Sequence, residues 1–523
     1  MRLLKTGFRL MIFNGFLVAC TLVFSYRPST AQTSQCSLAD SVNYPIDTTV
    51  FSLVQDFGVA SQRHQGRYHT GEDWSIGSSS LAQPVRAAAS GRVTYTAPTG
   101  WGRDGGVIII EHTFPDGTIA YSQYGHIMQT ESVVFPPRYA CVQAGDIIAV
   151  IGDVRPAPHL HFEIRINQPD NPGAGYTRED PSALGFRRPA QFVANHQAWL
   201  NPAHRWHTLV DTFGPAVPPL LLEDNSMIVI DGDLLRGIGA NGGVAWRVSA
   251  GGQAVNISGF QLNPYITLTD GTITRIDYTG IAQESYSLDF TPDRPPLEVD
   301  DSLVYHTSDN ALVALTPDRR ALLWRSEGIP PFKQAYVTPD LIALVMEDDT
   351  LRLLSTNGEQ IDVADLRDGA SFATAPDGRL LAYTQGGLWA IDSAGAWSEY
   401  LPDAPAGGRS SAVVSLPDGR LYLLDGQNLY AYAQNQPVWQ ARLPLDITGR
   451  AEMTYLNGAL LIVSSGGQIV VAGENGGFCG FTRIYGDDRA NLWYNVGNDG
   501  TLRVAVGNQY LGLDWARFAG SCL

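Results

Sequence analysis

Between residues 206 and 523 one short pattern recurs at a near-constant interval, and few folds can accommodate such a chain. A pair of apolar, β-branched runs leads to a turn rich in Gly, Asn or Asp, and then to a Trp or another large apolar residue. ANGGVAW ends at Trp246, TPDRRALLW at Trp324, SAGAW at Trp397 and AQNQPVW at Trp439. The intervals of 78, 73 and 42 residues share a unit of about 40 with two members skipped. Weaker members fill the gaps: Tyr286 after DYTGIAQES, Ile361 after STNGEQ, Phe478 after AGENGG and Trp515 after VGNQYLGLD. A unit of this length, made of short strands, cannot bury its own apolar face. It must stack on its neighbours, as the blades of a β-propeller do. Eight phased positions imply eight blades, with a seven-bladed ring and one irregular hairpin as the alternative. The Trp residues read as packing residues between blades rather than as ligand contacts.

The rest of the chain is compatible with an all-β protein. Of its 523 residues only 17% are charged, while 54 are Gly and 31 Pro, a balance that favours short strands and tight turns over long surface helices. The formal net charge of −17 argues against nucleic acid or an anionic membrane surface as a partner, because both would repel the chain. Acidity of this kind keeps an exported protein soluble.

Export is also what the first residues suggest. Arg2, Lys5 and Arg9 precede the apolar run LMIFNGFLVACTLVF at 10–24, and Ser29-Thr30-Ala31 offers a cleavage site. The run is short for a membrane span. Residues 1–31 therefore read as a signal peptide or N-terminal anchor. LVAC at 17–20 is the alternative, a lipoprotein box with Cys20 lipidated, although the apolar residues after it speak against a polar tether. The chain is expected outside the cytoplasm, either secreted, periplasmic or attached to the cell envelope. Cys36, Cys141, Cys479 and Cys522 remain, and their even number in an exported chain suggests two disulfides. Proximity favours Cys36–Cys141 and Cys479–Cys522, and the absence of a CxxC spacing argues against a thiolate metal site.

Residues 50–186 follow a different grammar. VTYTA at 93–97, VIIIEH at 107–112, IIAVIG at 147–152 and HLHFEIRI at 159–166 are strand-like, and Asp116-Gly117 marks a tight turn. The region reads as an antiparallel sandwich or half-barrel. Residues 187–205, RRPAQFVANHQAWLNPAHR, break the pattern and read as a linker. Six of the ten histidines fall between residues 64 and 161. On a strand, residues i and i+2 share a face, so His159 and His161 project together while Leu160 and Phe162 face a core. Two imidazoles on one face are costly to bury unpaired and well placed to share a metal. His69 and Asp73, separated by a turn with Gly71, add an imidazole and a carboxylate, a pair that suits zinc. Tyr124-Gly125-His126 adds a third element at the end of a strand. His112 reads as structural, and His64 and Arg67, just before the first motif, either line the groove or, the favoured reading, form a solvated loop. Glu163 is either a residue that orients a ligand or an outward-facing carboxylate. His196, His204, His207 and His306 show no metal spacing.

Taken together, residues 55–185 resemble the lysostaphin/LytM-type zinc metalloendopeptidases, which cut peptide links in bacterial cell wall. The resemblance rests on HTGED at 69–73, VRAAASGRV at 85–93, GGVIIIEH at 105–112, YGH at 124–126, AGDIIAVIG at 144–152, PHLHFEIR at 158–165 and Asp180-Pro181. DVRPA at 153–157 departs from the Gly/Ser-rich run usual there, which affects the shape of that loop and no ligand. The resemblance implies a Zn2+ cofactor held by His69, Asp73 and His161, with His126 and His159 catalytic. No HExxH glutamate is present, so histidines would move the protons. Residues 206–523 resemble the pyrroloquinoline-quinone-type propeller repeat in architecture, without a recognisable quinone or calcium site.

These readings divide the chain into an export segment at 1–31, a peptidase domain at 32–186, a linker at 187–205 and a propeller at 206–523. The expected function is hydrolysis of peptidoglycan stem or cross-bridge peptides, with the propeller binding cell wall or a protein partner. A membrane would be met only through the N-terminal segment. Two alternatives remain: a non-catalytic cell-wall-binding adaptor built on the peptidase fold, which the filled ligand positions disfavour, and a quinoprotein oxidoreductase, for which no cofactor site is recognisable.

Overall fold

The computed structural model describes residues 36–523 apart from 102–104, 116, 211–216, 261–262, 367–369, 409 and 487–489. The export segment and Cys20 lie outside the described residues, as does Asp116 of the tight turn. Among the described residues no helix is long and apolar enough to cross a membrane.

Among the described residues the first domain has thirteen strands: β1 Ser52–Gln55, β2 Ala60–Ser61, β3 Arg67–His69, β4 Glu72–Ser75, β5 Pro84–Arg86, β6 Gly91–Ala97, β7 Gly106–Thr113, β8 Ile119–Met128, β9 Cys141–Val142, β10 Ile147–Ile151, β11 Leu160–Arg165, β12 Tyr176–Thr177 and β13 Phe186–Arg187. One antiparallel sheet runs β1-β4-β11-β8-β7-β6-β9, with β10 joining β8 to β5 and β13 added beside β11. β3 pairs with β2 and β12 in a small separate sheet. Ile108, Ile110, Tyr124, Leu160, Phe162 and Ile164 meet in the core, so the β-branched run of β7 and the apolar alternate positions of β11 are what hold the central strands together.

Residues 189–199 form a helix, α1 (Pro189–Trp199), inside the stretch that reads as a linker. Pro189 sits at the first helical position, where its missing N–H costs nothing. Val193 belongs to the core of the first domain, with Phe192 and Trp199 packed against it, whereas Ala198 lies in a core of the second. The sequence conceals this helix because its buried residues face two different cores and give no single apolar stripe.

Beyond α1 the described residues form eight four-stranded antiparallel sheets. Seven are consecutive meanders, spanning 220–249, 254–287, 297–327, 332–365, 371–401, 411–442 and 451–483. The eighth combines strands Leu492–Val496, Thr501–Val506 and Gln509–Asp514 with β14 (His204–Leu209), which pairs with Gln509–Asp514. The first strand of the array thus completes the last blade. The two ends of the ring close on each other and leave no unpaired seam. The disulfide Cys479–Cys522 forms across the last junction, with Cα atoms 5.9 Å apart, and Cys36 and Cys141 are also oxidised.

Strand register revises the phasing of the repeat. Trp246, Trp324 and Trp439 stand opposite the small residues Gly237, Ala314 and Ala431. In the eighth blade the equivalent residue is Trp206 on β14, opposite Gly512. Trp515 lies instead in a short helix, Trp515–Ala519. Tyr286, Ile361, Trp397 and Phe478 are on outer strands but outside this register. A Cβ on Gly512 would meet the Trp206 ring at 2.2 Å, and one on Gly242 of the next blade at 2.6 Å, so the ring is clamped between two blades at the seam. Truncating a buried Trp costs about 3–5 kcal/mol. Trp206→Ala is expected to lower propeller stability by about that amount, read as a shift of its denaturant midpoint; a shift of less than about 1 kcal/mol would mean the seam does not depend on this ring.

Candidate metal centre and cleft

Antiparallel pairing brings the two motifs together. β11 lies between β4 and β8, with His161 opposite Asp73 on one side and opposite Gly125 on the other. The first motif bends between β3 and β4, so His69 returns beside Asp73. Gly71 permits this, because a Cβ there would fall 2.4 Å from the Phe162 carbonyl and 3.0 Å from the His161 ring. His69 Nε2, His161 Nδ1 and Asp73 Oδ1 then converge, separated by 3.0 Å between the histidines, 3.0 Å from His161 to Asp73 and 3.2 Å from His69 to Asp73. All three residues are buried.

The remaining ring nitrogens fix the tautomers. His69 Nδ1–H donates to the Asp56 carbonyl at 3.2 Å, and His161 Nε2–H donates to Glu163 Oε2 at 3.2 Å. Each neutral ring has then spent its only proton outward, and two lone pairs face each other beside a carboxylate. Only a cation between them relieves that arrangement. Four-coordinate zinc with ligands at about 2.0–2.1 Å places its ligand atoms about 3.3 Å apart, close to the spacing seen here. The residues therefore fit zinc in number, chemistry and distance.

Electrostatics point the same way. Where a proton takes the place of a metal, burial disfavours the charged form of His161, yet hydrogen bonds to Asp73 and Glu163 outweigh it and push its pKa up to about 9. Burial alone would raise Asp73 and Glu163; hydrogen bonds from His161 and, for Asp73, from His69 hold both below their usual range. With both imidazoles neutral, two carboxylates against one buried guanidinium, Arg165, leave the cluster one negative charge in excess, which a proton on His161 or a metal ion balances. Glu163 faces inward. Thr70 Oγ1 donates to it at 2.6 Å and Arg165 Nη2 bonds its other oxygen while also reaching Gln123 Oε1 at 2.6 Å. It orients His161 and is itself locked.

The other two imidazoles line a cleft of about 1180 Å³ that Asp73 and His161 of the cluster also line. His159 Nδ1–H donates to the Ala157 carbonyl at 2.9 Å, which leaves Nε2 as an acceptor 3.7 Å from Asp73 Oδ2. The His126 ring lies 4.6 Å from that of His159. His126 occupies a bulge in β8, with φ 59°, a left-handed conformation that costs about 1–3 kcal/mol for a non-glycine residue and recurs at working sites. Trp101 packs at 4.8 Å from His126 and 5.2 Å from His161. His64 stacks on Tyr176 at 3.7 Å, and with Arg63 both line the cleft; the loop is a wall of the site. Arg67 is not among the lining residues. Trp101 and Tyr176 had no signal in the sequence beyond being aromatic residues near glycines.

His196, His204, His207 and His306 stand apart from the cluster. His112 is structural: it lies between the Ser90 carbonyl and the Ser122 hydroxyl at 2.9 and 2.7 Å, and Ser122 bonds the Tyr124 hydroxyl, which accepts from Ala88 N–H.

Comparison with known proteins agrees with this geometry. Residues 67–172 match peptidase family M23. This stretch is an M23 peptidase domain. No curated protein matches the chain. Among solved structures, BamB from Moraxella catarrhalis aligns with 14% identity and a TM-score of 0.42 over 59% of this chain and 98% of its own. The quinohemoprotein alcohol dehydrogenase ADHIIG from Pseudomonas putida HK5 aligns with 12% identity and a TM-score of 0.41 over 61% and 76%. The computationally designed Ika8 protein aligns with 11% identity and a TM-score of 0.40 over 58% and 98%. The propeller assignment rests on the strand pairings themselves.

Two outcomes follow for the M23 domain. Glu163→Ala should weaken zinc binding about 10–100-fold, measured by chelator competition, and unchanged affinity would remove Glu163 from the support of the site. Burial also depresses His112 to about 4 from an ordinary 6.5. Between those values the unfolded chain binds more protons, so stability falls as pH drops from about 6.5 to about 4, by up to about 3 kcal/mol. His207 in the propeller is depressed to about 4 as well, chiefly by burial. The His112 contribution is therefore the difference in slope between the parent and a His112→Gln variant in pH-dependent unfolding.

Proposed function

We propose that this chain is an exported zinc metalloendopeptidase acting on peptidoglycan peptides. The observation that carries the reading is the convergence of His69, Asp73 and His161 at one end of an open cleft whose rim holds two further imidazoles. A site that only stabilised the fold would be closed by a fourth protein ligand. The oxidised cysteines fit export. Peptidoglycan is the substrate class the likeness to lysostaphin and LytM suggests, and the propeller is assigned recognition of cell wall or of a protein partner.

His69, Asp73 and His161 would hold the metal, with Asp56 and Glu163 fixing the two rings. Bound zinc supplies Lewis acidity, which acidifies a water and polarises a carbonyl. His159 presents an unprotonated Nε2 to the cleft and is placed to take the proton of the attacking water. Imidazole is the side chain suited to accept and return such a proton at neutral pH. His126, set beside it by the bulge, can donate to the oxyanion of the tetrahedral intermediate. The proton held by His159 then passes to the departing amine. Trp101 and Tyr176 wall the cleft and limit water around the scissile bond.

The test is metal analysis with zymography on cell wall. The full chain should carry one zinc and clear peptidoglycan. Asp73→Ala should lose both metal and activity. His126→Ala and His159→Ala should keep zinc and lose about 10²–10⁴-fold in turnover. Stoichiometric zinc in Asp73→Ala would remove the ligand assignment, and a zinc-loaded parent with no hydrolysis of any cell-wall peptide would leave an adaptor.

A further inference from the structure

The helix that joins the two domains also holds the first metal-ligand motif. Arg188, which caps α1, bonds both carboxylate oxygens of Asp56, at 2.6 and 2.5 Å, and the Phe57 carbonyl at 3.3 Å. The Asp56 carbonyl is the group that orients His69. Two residues on, the free Ala190 N–H donates to Glu72 Oε1 at 2.9 Å. Glu72 is the immediate neighbour of Asp73, fully buried, and its other oxygen accepts from Trp74 Nε1–H and the Tyr44 hydroxyl, both at 3.1 Å. A buried carboxylate at a helix N-terminus fills an otherwise unsatisfied N–H and is favoured by the helix dipole. The two contacts fix, from one helix end, the carbonyl behind His69 and the strand position beside Asp73.

The other half of α1 is built into the propeller. Tyr485 N–H donates to Asn195 Oδ1 at 3.2 Å, Thr482 Oγ1 to the Gln197 carbonyl at 3.4 Å, and Asn201 Nδ2 just beyond the helix to the Phe481 carbonyl at 2.9 Å. Val193 and Ala198 lie in the cores of the two domains. Residues 37–523 form one compact unit. Nothing in the family-matched stretch 67–172 contains Asp56, Arg188 or α1, so the scaffold of the site extends beyond the peptidase segment on both sides.

We infer that Arg188 and Glu72 are positioning residues for the metal centre, and that the propeller, acting through α1, sets its metal affinity. The inference rests on His69, Asp73 and His161 being the ligands. Removing the Arg188 guanidinium frees the Asp56 loop, lets the His69 ring turn and weakens the site with no change in any ligand. Loosening α1 on the propeller side, where it is held by residues 481–485, acts in the same direction.

The experiment measures zinc affinity of the full chain by competition with a chromophoric chelator, together with the absorption spectrum of the cobalt-substituted protein and thermal unfolding of the metal-free protein. Arg188→Ala should bind zinc about 10–100-fold more weakly and alter the cobalt spectrum. Arg188→Lys, which keeps a cation for Asp56, should recover part of the affinity. Glu72→Gln and Asn195→Ala should weaken binding too, and Arg320→Ala, an exposed residue paired with Glu284 on the propeller, should not. Affinity within twofold of the parent in both Arg188→Ala and Glu72→Gln, with the cobalt spectrum unchanged, overturns the inference and leaves the metal centre standing. A lowered metal-free melting temperature with parental affinity also overturns it, since that is what a merely structural role produces. A parent chain that binds no zinc overturns both this inference and the ligand assignment.

Discussion

Two imidazole lone pairs that face each other across 3.0 Å beside a buried carboxylate would repel unless a cation lay between them, and the first domain is organised to keep them there. The strand order β1-β4-β11-β8 places His161 between the strand carrying Asp73 and the strand leading to His126. Every outward nitrogen of the pair is tied down, His69 to a backbone carbonyl and His161 to Glu163. Glu163 is in turn held by Thr70 and Arg165. The cost of burying these polar groups is met only because each has a partner, and the net charge left over is negative. A proton or a metal ion can occupy that position, so a metal ion bound there would displace the proton.

Much of this was legible in the sequence, and for identifiable reasons. Alternation along HLHFEIR put His159 and His161 on one face and Leu160 and Phe162 in the core, as found. The same alternation carries Glu163 to the face of His161, but a strand's period fixes the face and not whether that face is buried, so the sequence alone does not decide between its two roles. The position of His64 just before the first motif allows either a groove wall or a solvated loop, and nothing in the sequence decides for the wall by bringing Tyr176, over a hundred positions later, to stack on it. Bulges are equally silent. His126 could be named from its motif, but its left-handed backbone depends on an unpaired residue in β8 that no local pattern announces.

In the propeller the period was legible and the phase was not. A repeat of about 40 residues follows from the spacing of Trp residues alone, and eight sheets are present. Contiguous repeats would put the eighth Trp at the end of the array, at Trp515. Ring closure breaks that assumption. The last blade borrows its outer strand from β14, so its Trp is Trp206, at the opposite end of the array in sequence and adjacent in space.

Ring closure also decides where the peptidase domain can be attached. A closed ring has one seam, and the chain enters and leaves the array there, so whatever precedes β14 must stand beside the last blades. α1 accordingly rests on strand Phe478–Arg483 of the seventh blade, and that strand is the one bridged by Cys479–Cys522 to the residues after the eighth. The helix that grips Asp56 and Glu72 is therefore seated on a strand of the propeller that is covalently bridged to the far end of the array. A flexible linker would have let the domains move independently. A helix shared by both cores transmits strain, because packed interiors yield little before they rearrange. Position of the His69, Asp73 and His161 cluster and closure of the propeller thus become one mechanical problem, solved at a single junction.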